Sequence, residues 1–218
     1  MKLFAPRNCW VPTRRGWLLI AVLVLAGMVL VVSRLNAFLS PTRPIPADVL
    51  ILEWWLPDSA MKDALAEFRR GGYQRLVISA GPLPDRWQNQ SRYKSGGELT
   101  GATLASMGLE TNLMVVMPLR RVERDRTYSM ALGVKAWLDS SNAAVRAVNL
   151  YSLGPHARRS RLLYEKALGD RIKVGVIARP ADDYDPNRWW SSGKGFHEVV
   201  GEALAYLYAR ILFHPGTA

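Results

Sequence analysis

From residue 47 onward, short apolar runs of strand length alternate with amphipathic stretches of helix length. That rhythm predicts an α/β domain built on a parallel sheet of about five strands. The runs are apolar throughout rather than alternately polar, so helices must cover both faces of the sheet. One further run, Trp17 to Leu39, is too long and too apolar for a strand and predicts a single transmembrane helix ahead of the domain.

The anchor comes first. Lys2, Arg7, Arg14 and Arg15 lie in a segment, 1–16, that contains no acid. The uncharged core from Gly16 to Ser33 sits at the lower limit for crossing a bilayer. Leu35, Ala37, Phe38 and Leu39 extend it past Arg34, whose aliphatic stem lets the guanidinium reach the interface. Basic residues concentrated before the span keep that side cytoplasmic, so residues 17–39 are expected to make a single pass through the inner (cytoplasmic) membrane with the rest of the chain outside. A cleaved signal peptide has the same charged-then-apolar plan, but the run is long for one and Leu35-Asn36-Ala37 is a poor cleavage site, which favours an uncleaved anchor. Cys9, the only cysteine, precedes the run, so the exported part has no thiol for disulfides, lipidation or thiolate metal sites.

Ser40-Pro41-Thr42-Arg43-Pro44-Ile45-Pro46 reads as a linker, its three prolines predicting an extended, semi-rigid spacer at 40–46. The domain follows at 47–214, long enough for one sizeable core. Val49-Leu50-Ile51-Leu52 is the first strand. Asp58 is a plausible cap for a helix that carries Met61, Leu65 and Phe68 at helical spacing and stops at Gly71-Gly72. Leu76-Val77-Ile78 is the second strand, followed by a Gly/Pro loop and a small-residue helix over 95–107. Leu113 to Met117 is the third, before a helix over 127–138. Val145 to Tyr151 and Ile172 to Ile177 supply two more, separated by a helix over 157–168, and an amphipathic helix over 198–213 closes the domain. The first strand is expected to be central.

Charge narrows the choice of partner. The chain carries a net +11, and residues 40–218 hold 24 of the 29 basic side chains against all 18 acids, a surplus of six. Outside the cytoplasm no nucleic acid is met, so the anionic neighbours are head groups, lipid-linked phosphates or acidic glycans, unless the surplus serves only solubility.

In an open parallel sheet ligands bind beyond the carboxyl ends of the strands. Four loops there are unusual: Glu53-Trp54-Trp55-Leu56-Pro57-Asp58; Ser79-Ala80-Gly81-Pro82 with Ser95 and Glu98 further on; Arg120 to Thr127; and Gly154-Pro155-His156-Ala157-Arg158-Arg159. The order of these pieces is a Ser-x-Gly after the second strand, a Ser-x-x-Glu opening the next helix, a Thr-led helix, and a strand leading to His-x-x-Arg. Over roughly 47–210 it resembles the YdcF-like domain of unknown function, the family that includes SanA and ElyC. The resemblance implies a Rossmann-like three-layer parallel sheet in one domain, often membrane-anchored, associated with cell-envelope biogenesis, whose reaction is not established. It carries the family's site onto Ser79 and Gly81, Ser95 and Glu98, Arg126 and Thr127, and His156 with Arg159. Glu53-Trp54-Trp55 replaces the family's glycine-rich first turn, and Arg126-Thr127 stands for its usual Asn-Thr.

The residues themselves suggest chemistry. His156 at a helix start beside Arg158 and Arg159 offers an anion site, and the arginines are expected to lower its pKa and leave a neutral, base-competent imidazole. The alternative is a histidine at a helix end with its arginines in solvent. Ser95-x-x-Glu98 is equally a catalytic acid with its neighbour or a capping box. Asp125 or Thr127 fits a cap, with Arg126 pointing into the cleft. Glu53, ending a central strand, needs a partner: Arg126, Arg159 or a ligand. Trp54, Trp55, Trp87, Tyr93, Trp189 and Trp190 fall in loops, suited to stacking on sugars, to a bilayer interface or to core packing. His156, His197 and His214 lack metal-ligand spacing, and no cofactor is assigned.

Two classes of function remain. One is an envelope enzyme on a phosphate-bearing or glycan substrate, with His156, Glu98 and Glu53 in the chemistry and Arg126, Arg158 and Arg159 as the clamp. The other is a non-catalytic binding or assembly factor that uses the same cleft, or its tryptophan loops, to hold a ligand or a protein partner.

Overall fold

The computed structural model describes residues 12–83, 92–118, 125–141 and 145–215. Lys2, Arg7, Cys9, Trp87 and the loop from Arg120 to Arg124 lie outside them. Among the described residues one helix, α1 (Arg14–Leu39), is long and apolar enough to cross a membrane, and its apolar stretch is unburied. The chain divides into two units, Met1–Leu35 and Asn36–Ala218. The last turn of α1 therefore belongs to the second. There Leu39 is buried and Asn36 accepts a hydrogen bond from the Tyr184 hydroxyl (3.2 Å).

In the second unit the apolar runs form β1 (Val49–Leu52), β2 (Arg75–Ile78), β3 (Met114–Val116), β4 (Ala147–Leu153) and β5 (Lys173–Arg179). All neighbours pair in parallel, in the order β3-β2-β1-β4-β5. The first strand is central, as expected. Between the strands run α2 (Asp58–Arg70), α3 (Gly96–Ser106), α4 (Arg126–Ser140) and α5 (His156–Leu168), and α6 (Gly193–Leu207) follows β5. Successive strand residues point to opposite faces, and each face has its own core. Val49, Ile51, Val77, Val148 and Leu150 pack with α4 and α5 on one side. Leu50, Leu52, Leu76 and Ile78 pack with Ala60, Ala64, Leu65 and Phe68 of α2 and Leu104 of α3 on the other. Two covered faces explain why the strands read as unbroken apolar runs.

Several boundaries differ from the sequence reading. Pro57, not Asp58, occupies the N-cap of α2, and no side chain caps it. Proline's fixed φ suits the entry, and Asp58 still favours the helix N-terminus by charge. Asp125 precedes α4 in the left-handed region (φ 51°), and neither it nor Thr127 caps the helix. α6 begins at Gly193, five residues earlier than expected, because the Ser192 hydroxyl accepts from the Gly195 amide (3.0 Å). A π-helical turn (Tyr208–Leu212) then replaces its last residues.

The segment 40–46 is extended, but it is not a spacer. Arg43 exchanges both backbone hydrogen bonds with Val176 of β5 (2.7 and 3.2 Å), antiparallel to it. Asn149 in β4 holds both polar groups of Ile45, accepting from its amide (3.0 Å) and donating to its carbonyl (2.7 Å), and it also donates to the Tyr73 hydroxyl (2.8 Å). Gly175 makes room, since a Cβ there would lie 1.9 Å from the Asn149 Oδ1. The segment thus covers the exposed edge of β5, which would otherwise invite pairing with another chain.

Candidate functional site

The strand order reverses between β1 and β4, the position where open parallel sheets place their ligands. Leu52 pairs with Tyr151, so Glu53, the first residue past β1, lies beside Ser152, near the carboxyl end of β4. Glu53 is only 2% exposed. Its carboxylate accepts from Ser152 Oγ (2.5 Å) and from Ser160 Oγ on α5 (2.8 Å), and His156 Nε2 lies 3.4 Å away. His156, Arg159 and Ser160 share one face of α5 because they are three and four residues apart.

The network continues outward. His156 Nδ1 lies 2.8 Å from Glu202 Oε1, and Arg159 grips the same carboxylate with Nε (2.7 Å) and Nη2 (2.9 Å). Both ring nitrogens of His156 therefore face carboxylate oxygens, the arrangement of an imidazolium that donates twice. Arg159 Nη2 comes within 2.9 Å of Nδ1 because both groups donate to one Glu202 oxygen. Trp55 closes the side of the ring, edge to face at 5.1 Å.

These contacts reverse the expected protonation. Burial lowers the pKa of His156, but the charge of Glu53 and hydrogen bonds to Glu202 and Glu53 outweigh it and raise the value to about 9. The imidazole is charged at neutral pH, not a free base, because two carboxylates face it directly. Burial raises Glu202, yet the hydrogen bonds from Arg159 and His156 prevail and hold it near 2. Arg159 is likewise driven further toward its charged form: burial works against it, and Glu202 overcomes that.

Arg158 does not join this cluster. Its Nε donates to the Phe38 carbonyl, and its guanidinium lies over the Phe38 ring (3.9 Å). Ser95 and Glu98 form a capping arrangement. Ser95 Oγ accepts from the Glu98 amide (3.1 Å), and the exposed Glu98 carboxylate accepts from the Lys94 amide (2.8 Å). Arg126 is the exposed first residue of α4, and Thr127 is buried behind it. Of the expected residues, the structure gathers Glu53, His156 and Arg159.

Ser79 and Gly81 hold a residue of the chain itself, Trp54, while Ser95 only caps α3. Trp54 donates its amide to Ser79 Oγ (3.2 Å), and its carbonyl accepts from Thr100 Oγ1 (2.7 Å). Its indole fills the slot between Gly81 and Gly96, where added Cβ atoms would meet the ring at 1.9 and 2.0 Å. Gly81→Ala is expected to cost about 1–3 kcal/mol by overpacking. Denaturant midpoints should show that loss shrinking in a Trp54→Ala background, since the clash goes with the ring.

The neighbouring cleft has Trp55 on one side, Pro155 and His156 at its base, and His197, Glu198, Gly201 and Glu202 of α6 as its wall. Glu198 is paired with Lys194 (2.8 Å). Glu202, Ser152 and Ser160 escaped the sequence reading. Glu202 lies three residues beyond Val199 on the inward stripe of α6, and an acid on an otherwise buried stripe is the signal that would have pointed to it. Among the described residues, no group of three or more His, Cys, Asp or Glu is arranged to hold a metal ion.

Fold and site together define an α/β protein with a membrane-length N-terminal helix and a partly buried four-member ion-pair network where the strand order reverses. No family model matches this chain, and no curated protein matches it.

Proposed function

We propose that this is a Rossmann-like, YdcF-like protein of the cell envelope, anchored by α1 in the inner membrane with its domain outside. Its role in this reading is to bind a hydroxyl-rich glycan ligand in the cleft between Trp55 and α6, without catalysing a reaction. The observation that carries the reading is the closed state of the ion-pair network. Both nitrogens of His156 face carboxylates, and Arg159 is held by Glu202 through Nε and Nη2. The hydroxyls of Ser152 and Ser160 donate to Glu53 rather than to a base. Within this network, among the described residues, that leaves no activated nucleophile, and the Arg159 guanidinium is committed to Glu202 rather than to a phosphate. An aromatic face beside carboxylate oxygens with spare lone pairs suits stacking on a sugar ring and accepting from its hydroxyls. The order of motifs that resembles the YdcF-like family supports the envelope setting, and the basic N-terminal flank supports the orientation.

Native mass spectrometry of the full-length protein, extracted in mild detergent, tests the ligand class. A retained saccharide is the expected result, with Trp55→Ala weakening its binding roughly tenfold, about 1.4 kcal/mol of lost stacking. A retained phosphate ester that is not a glycan would overturn the ligand class. Turnover of any retained ligand that depends on His156 would overturn the non-catalytic reading.

A further inference from the structure

A helix on a water-exposed surface normally turns polar residues outward. α6 does the reverse along one stripe. Phe196, Leu204, Leu207 and Ile211 recur at helical spacing and are 55%, 64%, 50% and 60% exposed, with Tyr208 and Leu212 beside them. The opposite face is the one the domain uses, through Val199, Glu202 and Ala209. One side of the helix is therefore taken up by the domain while an apolar stripe on another stays uncovered, and a contiguous exposed stripe of this kind marks an interaction surface.

Its position within the second unit identifies the occupant. The Phe38 ring, in the last turn of α1, lies 5.8 Å from the Tyr206 ring of α6, edge to face. The apolar run of α1 ends at Leu39, before Ser40-Pro41-Thr42-Arg43, so the chain leaves the hydrocarbon next to Phe38. At 1.5 Å per residue, Leu204 to Leu212 all lie within about 10 Å of Tyr206 along the helix axis. The stripe carries an exposed tyrosine, Tyr208, and the cation of Arg210, and exposed Trp190 follows at its Phe196 end. Apolar faces with aromatic and basic flanks settle in the interfacial layer of a bilayer.

We infer that the outward stripe of α6 and its π-helical turn lies in the membrane interface where α1 emerges, as a second membrane contact. The inference rests on the reading of α1 as a membrane span. Because the wall of the cleft is the same helix, the contact holds the binding site at the lipid surface. A second copy of this chain is the competing occupant, but covalent continuity with the anchor already brings the bilayer to this place.

The test uses the full chain in phosphatidylcholine–phosphatidylglycerol nanodiscs, with Cys9→Ser and a single fluorophore-bearing cysteine at each of four exposed positions. These are Leu204→Cys and Ile211→Cys on the stripe, Leu25→Cys in α1, and Lys62→Cys on α2, on the other face of the sheet. Doxyl-labelled lipids are expected to quench the two stripe labels at least twofold more than the Lys62→Cys label, while iodide quenches them less. Stripe labels that iodide reaches as readily as Lys62→Cys, with Leu25→Cys quenched by lipid, would overturn the contact and leave the anchor standing. Stripe labels shielded from both quenchers would also overturn it, by showing that protein covers the stripe. A Leu25→Cys label that lipid does not quench would remove the anchor, and this inference with it.

Discussion

Replacing Glu53 by alanine is expected to destabilise the domain by about 3–5 kcal/mol, the scale of breaking a buried ion pair from one side. The carboxylate is almost wholly buried, and three groups point at it: the hydroxyls of Ser152 and Ser160, themselves fully buried, and His156 Nε2. Removal strands two hydroxyl donors in an apolar setting and takes away one of the two charges that keep His156 protonated. Glu53→Gln should cost less, since the amide oxygen still accepts one bond, while its NH2 now faces donors. Denaturant unfolding of the three proteins at constant pH checks the order: wild type most stable, then Gln, then Ala. A Glu53→Ala protein as stable as wild type would mean that the serines and the imidazole find other partners, and that the network contributes nothing to the fold.

Stability should also fall on the alkaline side of neutrality, and His156 is the cause. Its pKa is about 9 in the folded protein against 6.5 when unperturbed, so its contribution is complete below pH 6.5 and disappears as pH rises through 9. The loss is roughly 2–3 kcal/mol, allowing for the coupling between the ring and its two carboxylates. Glu202 works in the opposite direction. Held near 2 against an ordinary 4.5, it contributes fully above pH 4.5, and that contribution is lost as pH falls through 2. The two groups belong to one network, so their losses are not summed. Unfolding free energies measured from pH 5 to pH 10 should show a plateau and then a decline centred between 6.5 and 9, and the decline should flatten in His156→Gln. A wild-type profile that stays level to pH 9 would place the imidazole in its neutral form and reopen a base role for it.

The strands were legible because burial on two faces leaves a one-dimensional trace. Val49–Leu52 and Leu76–Ile78 have no polar positions, since each side chain meets one core or the other. Helix ends set by local chemistry were legible too, such as Gly71-Gly72 after α2, where Gly72 takes a positive φ of 68°. The start of α6 was missed although Ser192 carries a recognisable cap, because Gly193 and Gly195 read as a loop. Glycine is tolerated in that first turn where the backbone packs closely: a Cβ on Gly195 would meet the Trp189 carbonyl oxygen at 2.5 Å. Segment 40–46 looked like a spacer because prolines report extension and say nothing of what lies beside them. Its partners, Asn149 and Val176, are more than a hundred residues away in the chain.

The site divides along the same line. Glu53 and His156 were visible as titratable groups at a strand end and a helix start, and His156, Arg159 and Ser160 share a face by helical spacing alone. What each group does was not visible. Arg158 and Arg159 are adjacent and chemically identical, yet one lies over Phe38 and the other binds Glu202, because a 100° turn of the helix sends neighbouring side chains to different surroundings. Ser79, Gly81 and Ser95 matched a binding pattern, and in the fold Ser79 and Gly81 seat Trp54, a residue separated from them by a crossover helix, while Ser95 caps α3.

By itself, then, the sequence determined the alternating elements and the membrane-length apolar helix, which follow from local periodicity and from the length and composition of single segments, while the central place of the first strand, expected from the alternation, is set by its pairing with β2 and β4. Only the tertiary structure decided the charge state of His156, the engagement of Arg159, the occupant of the Gly81–Gly96 slot and the docking of segment 40–46. Those are contacts between segments far apart in the chain, and their energies depend on burial and on distances of about 3 Å that no one-dimensional pattern encodes.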